Sequence, residues 1–231
     1  MTAPIYIVSV VNNLKLYEHC IEKNKFLENC LLKFYDNTKE NIGIAERYND
    51  FITTHITPES DDCWVIFCHQ DFGFEEAPAP KLATLPTDCI YGPAGVNIRL
   101  GFSLWPPKIF RRKVTEGRFK QGHNNTDFEV VGNYLPEPKK VIACDCCCLI
   151  VHSSLIKRHN LRFDPQCRFH LYAEDFEFIA RKKYGIQVKA VQIACYHQGI
   201  GNYSDPQFFR TLEYLKKKHN LKKLYSTNPY C

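Results

Sequence analysis

The chain has no apolar stretch near the ~20 residues that a membrane-spanning helix requires, so no transmembrane segment is expected. It shows no signal-peptide pattern either, since Met1-Thr2-Ala3-Pro4 leads straight into a strand-like run. Without an export signal, the expectation is a cytoplasmic protein whose twelve cysteines stay as thiols. Most of these cysteines lie inside apolar runs, where Cys behaves as a small buried hydrophobe. No Gly-x-Gly-x-x-Gly follows the first strand and no Walker A loop occurs, which argues against dinucleotide and P-loop binding. Excess charge is missing too: a net +5 over 231 residues does not point to nucleic acid. The lysines that cluster, Lys216-Lys217-Lys218 and Lys222-Lys223, read as a solvated helix face.

What is present is ordinary globular composition, with length enough to bury a sizeable core as one large domain or two small ones. Its organising stretch is Cys63-Trp64-Val65-Ile66-Phe67-Cys68, an uncharged run that reads as a strand buried on both faces. It stops abruptly at His69-Gln70-Asp71. In open α/β sheets ligands bind beyond the carboxyl ends of such strands, so these three residues fall where a site is expected.

Ahead of this stretch, Ile5–Val11 reads as a first strand ending at Asn12-Asn13, and residues 14–29 as a helix. Residues 31–35 read as a second strand ending at Asp36-Asn37, and Ile44–His55 as a helix. Alternation of strands and helices predicts half of a nucleotide-binding sheet with a right-handed crossover. Beyond it, residues 75–87 read as a Pro- and Ala-rich linker, and Cys89–Gly92 as a strand. Residues 102–134 read as an excursion of short antiparallel strands, with Trp105-Pro106-Pro107, the surface triplet Arg111-Arg112-Lys113 and a turn at Gly122-His123-Asn124-Asn125. Val141–Val151 reads as one buried strand with Asp145 in its middle, a lone carboxylate that needs a partner or a role. Its Cys-x-Cys-Cys-Cys run would point alternate thiols to opposite faces, which does not suit a structural zinc site. A helix beginning near Glu174-Asp175 and ending at Gly185, a strand over 186–195 that stops at Tyr196-His197, and a basic helix over 205–224 complete the chain.

The polar residues at these strand ends are Asn12, Asp36, Asp71 and His197, with Glu174-Asp175 at a helix start. An Asp and a His from two strand ends suit a divalent ion such as Mn²⁺ or Mg²⁺. A hard ion with few protein ligands completes its shell with water and phosphate oxygens, which points to a nucleoside diphosphate substrate.

In this order the motifs resemble those of GT-A-fold, family-2-type glycosyltransferases, in the bacterial and viral branch whose metal motif reads His-Gln-Asp. The resemblance spans roughly residues 5–200. It implies one GT-A domain over 1–231, an α/β fold with a mostly parallel central sheet flanked by helices. Residues 1–96 would form the nucleotide-sugar half, and 97–231 the acceptor half with its basic C-terminal helix. By the same resemblance Ser9, Val10, Asn12, Asp36, Asn37, Asn49, His69 and Gln70 bind the nucleotide-sugar. Asp71 and His197 hold Mn²⁺ or Mg²⁺, and Asp145 binds the acceptor, although Cys146 stands where the family usually has Gly. Asp175 is the catalytic base, with Glu174 orienting the acceptor or the base. The implied reaction is inverting transfer from a UDP-, GDP- or dTDP-sugar to a glycan, lipid-linked or protein acceptor. Two rivals remain. A nucleotidyltransferase normally needs a Gly-rich loop after strand one, which Val10-Val11-Asn12-Asn13 lacks; a non-catalytic sugar- or partner-binding domain would keep the fold without turnover.

Overall fold

A computed structural model describes residues 3–104, 107–122, 127–199, 205–228 and 230–231. The predicted features at Trp105-Pro106 and His123-Asn124-Asn125 lie outside the described residues.

The first half follows the predicted alternation. Strand β1 (Ile5–Val11) is followed by a short helix α1 (Leu14–Tyr17), a π turn over Glu18–Glu22 and a 3₁₀ turn over Lys25–Leu27, then by β2 (Leu31–Asp36). The predicted helix over 14–29 starts as expected, with the Asn13 side chain accepting the N–H of Leu16, but passes into π winding after one turn and stops at Glu22. Asn24 then accepts the N–H of Phe26 with its side chain and starts a separate turn. Helix α2 (Ile44–His55) leads to β3 (Trp64–Cys68), which is buried along its whole length. After β3 the chain turns into β4 (Phe72–Phe74), α3 (Pro78–Leu82) and β5 (Cys89–Gly92). The stretch read as a linker thus contains a helical turn, with Pro78 at its first position, where a missing N–H costs nothing.

The excursion is one long ribbon rather than short strands. β6 (Gly95–Leu104) pairs antiparallel with β7 (Pro107–Gly122), and β8 (Phe128–Asn133) pairs with the far end of β7. β9 (Lys139–Lys140), β10 (Ala143–Cys144) and β11 (Cys148–His152) follow. The predicted strand 141–151 is interrupted because Asp145 accepts the N–H of Cys147 at 2.9 Å, closing a turn between β10 and β11. Helix α4 (Ser153–His159), a 3₁₀ turn (Pro165–Cys167) and α5 (Tyr172–Tyr184) lead to β12 (Gln187–Ala190), β13 (Cys195–His197) and α6 (Pro206–Lys218). Helix α5 ends on Gly185 in the left-handed region (φ 71°), as read from its place after Tyr184. The predicted last strand is two strands in different sheets.

The main sheet has seven strands in the order β2-β1-β3-β11-β5-β12-β9. β1 pairs parallel with β2 and β3, and β5 with β12; β11 and β9 run the other way. The fold is α/β with mixed sheets, less parallel than expected. β11 is reversed because the Asp145 turn delivers the chain to the carboxyl edge of β3, where Cys148 pairs with Cys68, so it can only run back. A second sheet, β10-β6-β7-β13-β4 with β8 beside β7, packs on one side.

Alternate residues of β3 feed two cores. Val65 and Phe67 join Phe51, Phe163 and Phe176 beneath α2 and α5, while Trp64, Ile66 and Cys68 join Ile21, Phe72 and Phe119 on the other face. At roughly 1.5–3 kcal/mol for each large side chain buried, this double-sided packing fixes where β3 stops. Among the described residues no helix is long and apolar enough to cross a membrane, and all twelve cysteines are free thiols.

Candidate functional site

The carboxyl end of β3 turns sharply: His69 donates its N–H to Cys147, and the N–H of Phe72 returns to the carbonyl of His69 at 3.2 Å. Asp71 is thereby held in a tight turn. Its carbonyl accepts the N–H of Gln198 at 2.9 Å, and β4 pairs antiparallel with β13 so that His197 stands opposite Phe72. Two distant segments are brought together by this register. Asp71 Oδ1 lies 3.3 Å from His197 Nε2 and 4.0 Å from His69 Nδ1, and the two ring nitrogens are 3.4 Å apart. The three side chains could hold a metal ion. A Cβ on Gly199 would come within 2.4 Å of Asp71 Oδ2, so only glycine lets the backbone pass this close to the carboxylate.

Neighbouring groups set which ring nitrogens are bare. Tyr172 donates its O–H to the carbonyl of Cys146 at 3.0 Å and stands 2.8 Å from His69 Nε2. With its one proton used, Tyr172 can only accept, so His69 carries its proton on Nε2 and turns the Nδ1 lone pair inward. Gln121, paired with His197 across β7 and β13, donates its amide N–H to the carbonyls of His197 and Gly199. Its amide oxygen therefore faces His197 Nδ1 at 3.2 Å and takes that proton, leaving Nε2 bare in the neutral ring. Two imidazole lone pairs and one carboxylate oxygen converge on a single point, each imidazole oriented by an outer partner as metal-binding histidines usually are. Burial pushes the His69 imidazole below its ordinary value, helped by the charge of His197. Burial alone would raise the Asp71 carboxyl and lower the His197 imidazole; once His197 takes a second proton, its Nε2–H donates to Asp71, and this hydrogen bond and charge outweigh burial, holding Asp71 low and His197 high.

A cavity opens on each side of this cluster. One, of about 180 Å³, is lined by Val10, Asn12, Asn37, Tyr48, Gln70 and Phe169 together with His69 and Asp71. The other, of about 160 Å³, is lined by Asp145, Cys146, His170, Glu174, Ser226 and Thr227 together with His69 and His197. Glu174 is buried, and among the described residues its Oε2 has no hydrogen-bond partner while Oε1 accepts the hydroxyl of Ser226. Burial pushes its carboxyl up to about 7, against the opposing pull of the Ser226 hydrogen bond. Just before it, Leu171 takes the left-handed backbone region (φ 58°), a strained conformation for a branched side chain and one that gathers at functional sites. Asp145 accepts Cys147 N–H on one oxygen and the Thr227 hydroxyl at 2.6 Å on the other.

Other residues singled out in the sequence have different surroundings. Ser9 is fully buried with its hydroxyl 3.4 Å from the Cys68 thiol. Asn49 clamps both backbone groups of Phe163, at 2.8 and 2.9 Å. Asp36 accepts the N–H of Thr38 in an exposed turn, and hydrogen bonding from the Thr38 hydroxyl, then from its N–H, lowers the carboxyl. Gln70 locks the end of β1, accepting the N–H groups of Asn12 and Asn13 and donating to the Asn12 side chain; Asn37 similarly closes its own loop on Ile42. Asp175 faces away from both cavities. It is fully buried, bound by Lys218 Nζ at 2.8 and 2.9 Å and His219 Nε2 at 2.6 Å. Lys218 also reaches Asp164 at 2.6 Å, so its ammonium fills the Asp164–Cys167–Asp175 cluster where a cation could otherwise bind.

Sequence reasoning missed His69 as a third ligand, Gln121 and Tyr172 as orienting groups, and the Ser226-Thr227 wall. Tyr172, two residues before Glu174 at the start of α5, was the one signal open to reading. Comparison with models of protein families found none that matches the chain, and a search of curated proteins found no match either.

Proposed function

We propose that the chain is a metal-dependent, inverting glycosyltransferase of GT-A type that moves a sugar from a nucleoside-diphosphate sugar to an acceptor hydroxyl. The observation that carries this reading is the convergence of His69, Asp71 and His197 between two cavities, one of them lined by the buried Glu174 carboxyl, whose Oε2 has no hydrogen-bond partner among the described residues. In this reading the cavity beside β1 takes the nucleotide, at the carboxyl ends of the strands where α/β sheets bind such ligands. The cavity beside α5 takes the acceptor.

His69 Nδ1, Asp71 Oδ1 and His197 Nε2 fit a divalent transition ion. Two imidazoles favour Mn²⁺ over Mg²⁺, which prefers oxygen donors. An ion held by these three residues would supply positive charge against the negative charge that builds on the departing diphosphate. Glu174, rather than Asp175, serves as the general base. A carboxyl titrating near 7 is matched to taking a proton at neutral pH, and its free Oε2 is the acceptor for an incoming hydroxyl. The acceptor oxygen bonds to the anomeric carbon as the bond from that carbon to the phosphate oxygen breaks. The hydroxyl proton passes to Glu174, and attack from the opposite side inverts the configuration.

Two histidines and one carboxylate also make the ligand set of iron(II) oxygenases, which gives a second reading a concrete basis. One experiment separates the two. Purified protein with Mn²⁺ should release nucleoside diphosphate from a UDP-, GDP- or dTDP-sugar, and lose that activity in Asp71→Ala and Glu174→Gln. Oxygen consumption with Fe²⁺ and no diphosphate release would favour the oxygenase, and nucleotide-sugar binding without any turnover would favour a binding module.

A further inference from the structure

Beyond the pairs that involve Ile98 and Lys113, the β6–β7 ribbon runs on for six cross-strand pairs, to Leu104 and Pro107. At ~3.4 Å per residue this arm is about 20 Å long. Its neighbours stop short: β10 pairs with β6 only at Gly95 and Val96, and β8 and β13 pair with β7 only from Gly117 onward. A lone two-stranded ribbon is marginally stable in water. This one nevertheless carries its largest apolar side chains into solvent, with Leu100 74%, Phe102 62%, Leu104 81% and Ile109 71% exposed. Singly exposed apolar residues need no explanation, but a contiguous set does.

Register arranges them in order. Leu100, Phe102 and Leu104 alternate along β6 and so share a face, with Ile109 opposite Phe102 and Arg111 opposite Leu100. On this face apolar residues thus lie outermost and a cation behind them, with the exposed Arg112 at a register position of the other face, where Lys108 stands opposite Ser103. Phe110 lies across Gly101, where a Cβ would meet its ring at 2.5 Å, which pins this register. Residues 97–115 hold Arg99, Lys108, Arg111, Arg112 and Lys113 and no acidic residue. Arg99 is paired with Glu116 and Lys113 with the carbonyls of Asn228 and Cys231, whereas Arg111 and Arg112 have no acidic partner among the described residues.

We propose that this arm docks the protein on an anionic lipid bilayer, its apolar end entering the headgroup–acyl boundary and Arg111 and Arg112 resting among the anionic headgroups. An apolar tip backed by cations is the order such an interface requires, since apolar groups insert about 5–10 Å and basic groups stay with the phosphates. A second copy of the chain fits less well, because facing arms would bring Arg111 and Arg112 against their like with no carboxylate within residues 97–115 to offset them.

The test is flotation of the full chain with vesicles of phosphatidylcholine alone or mixed with phosphatidylglycerol. The protein should float with the anionic vesicles only, and less so as salt rises. Arg111→Ala/Arg112→Ala should weaken binding about 30-fold, at about 1 kcal/mol for each cation. Leu100→Ser/Phe102→Ser/Leu104→Ser should weaken it at least tenfold, while Lys216→Ala/Lys217→Ala, the same charge removed from the terminal helix, should leave it within about twofold. Every altered side chain except the half-buried Lys216 is exposed, and an unchanged near-ultraviolet circular dichroism spectrum checks the fold. The proposal is overturned if the unaltered protein ignores anionic vesicles, if the lysine pair matters as much as the arginine pair, or if the serine variant instead converts a dimer to a monomer.

Discussion

Replacing Glu174 by Gln should stabilise the protein and stop it working, and the two effects share one cause. Burial raises the carboxyl from 4.5 to about 7. A buried acid with a raised value favours the folded state while protonated. As pH climbs from 4.5 to 7 the unfolded chain releases the proton first, so stability falls across that window and the loss is complete by about pH 8. At about 1.4 kcal/mol per unit, the loss is about 3 kcal/mol. Gln keeps an oxygen for the Ser226 hydroxyl and cannot ionise, so it avoids the penalty. For 231 residues the unfolding entropy is roughly 0.5 kcal/mol/K, which converts the difference to about 6 °C. Scanning calorimetry of both proteins with metal chelated should give melting temperatures that differ by only about 2 °C at pH 5 and by about 6 °C at pH 8, the variant being higher. Turnover should fall by about 10²–10⁴-fold, the usual contribution of a general base. In the unaltered protein, turnover should rise with pH through about 7. A melting-temperature gap that stays constant from pH 5 to pH 8 would refute the buried-carboxyl argument, and transfer at the original rate would refute the role as base.

His69→Ala and Asp71→Ala should each weaken Mn²⁺ binding at least about 100-fold by calorimetric titration, and Tyr172→Phe or Gln121→Leu about 10–100-fold, as expected for groups that orient metal-binding imidazoles. If His69→Ala binds as tightly as the original, the three-ligand cluster is wrong. Asp175→Asn should lower stability by about 3 kcal/mol in urea unfolding, because it leaves Lys218 and His219 without their buried partner, while turnover per folded molecule stays within about tenfold. A complete loss of turnover at unchanged stability would return the base to Asp175. Gly199→Ala should press on Asp71 Oδ2 and weaken Mn²⁺ binding about tenfold with little change in melting temperature.

Legibility in the sequence tracked how local the determining interactions are. β1, β5 and α2 match their predicted limits, because an unbroken β-branched run or a 3.6-residue apolar period decides them within a few residues. The errors fell where one polar side chain bonds the backbone two or three residues on. Asn24 breaks the predicted helix, and Asp145 breaks the predicted strand, each offering the backbone an alternative that an apolar pattern does not register. The Asp145 turn had the widest consequence. By delivering β11 to the carboxyl edge of β3 it reverses that strand, and the turn's Cys147 carbonyl then receives the N–H of His69.

The candidate site divides along the same line. His69, Asp71 and His197 were visible as polar groups ending apolar runs, yet the role of His69 as a ligand depends on a proton assigned through Tyr172 and Cys146, two residues from separate elements. Glu174 and Asp175 are adjacent and alike in sequence, and both sit in the first turn of α5. Successive helical residues point about 100° apart, so one carboxyl enters the cavity while the other meets Lys218 and His219 from α6 and its end. Which of the two faces the substrate is therefore set by a helix some 40 residues away, through a buried ion pair rather than through the motif that contains them both.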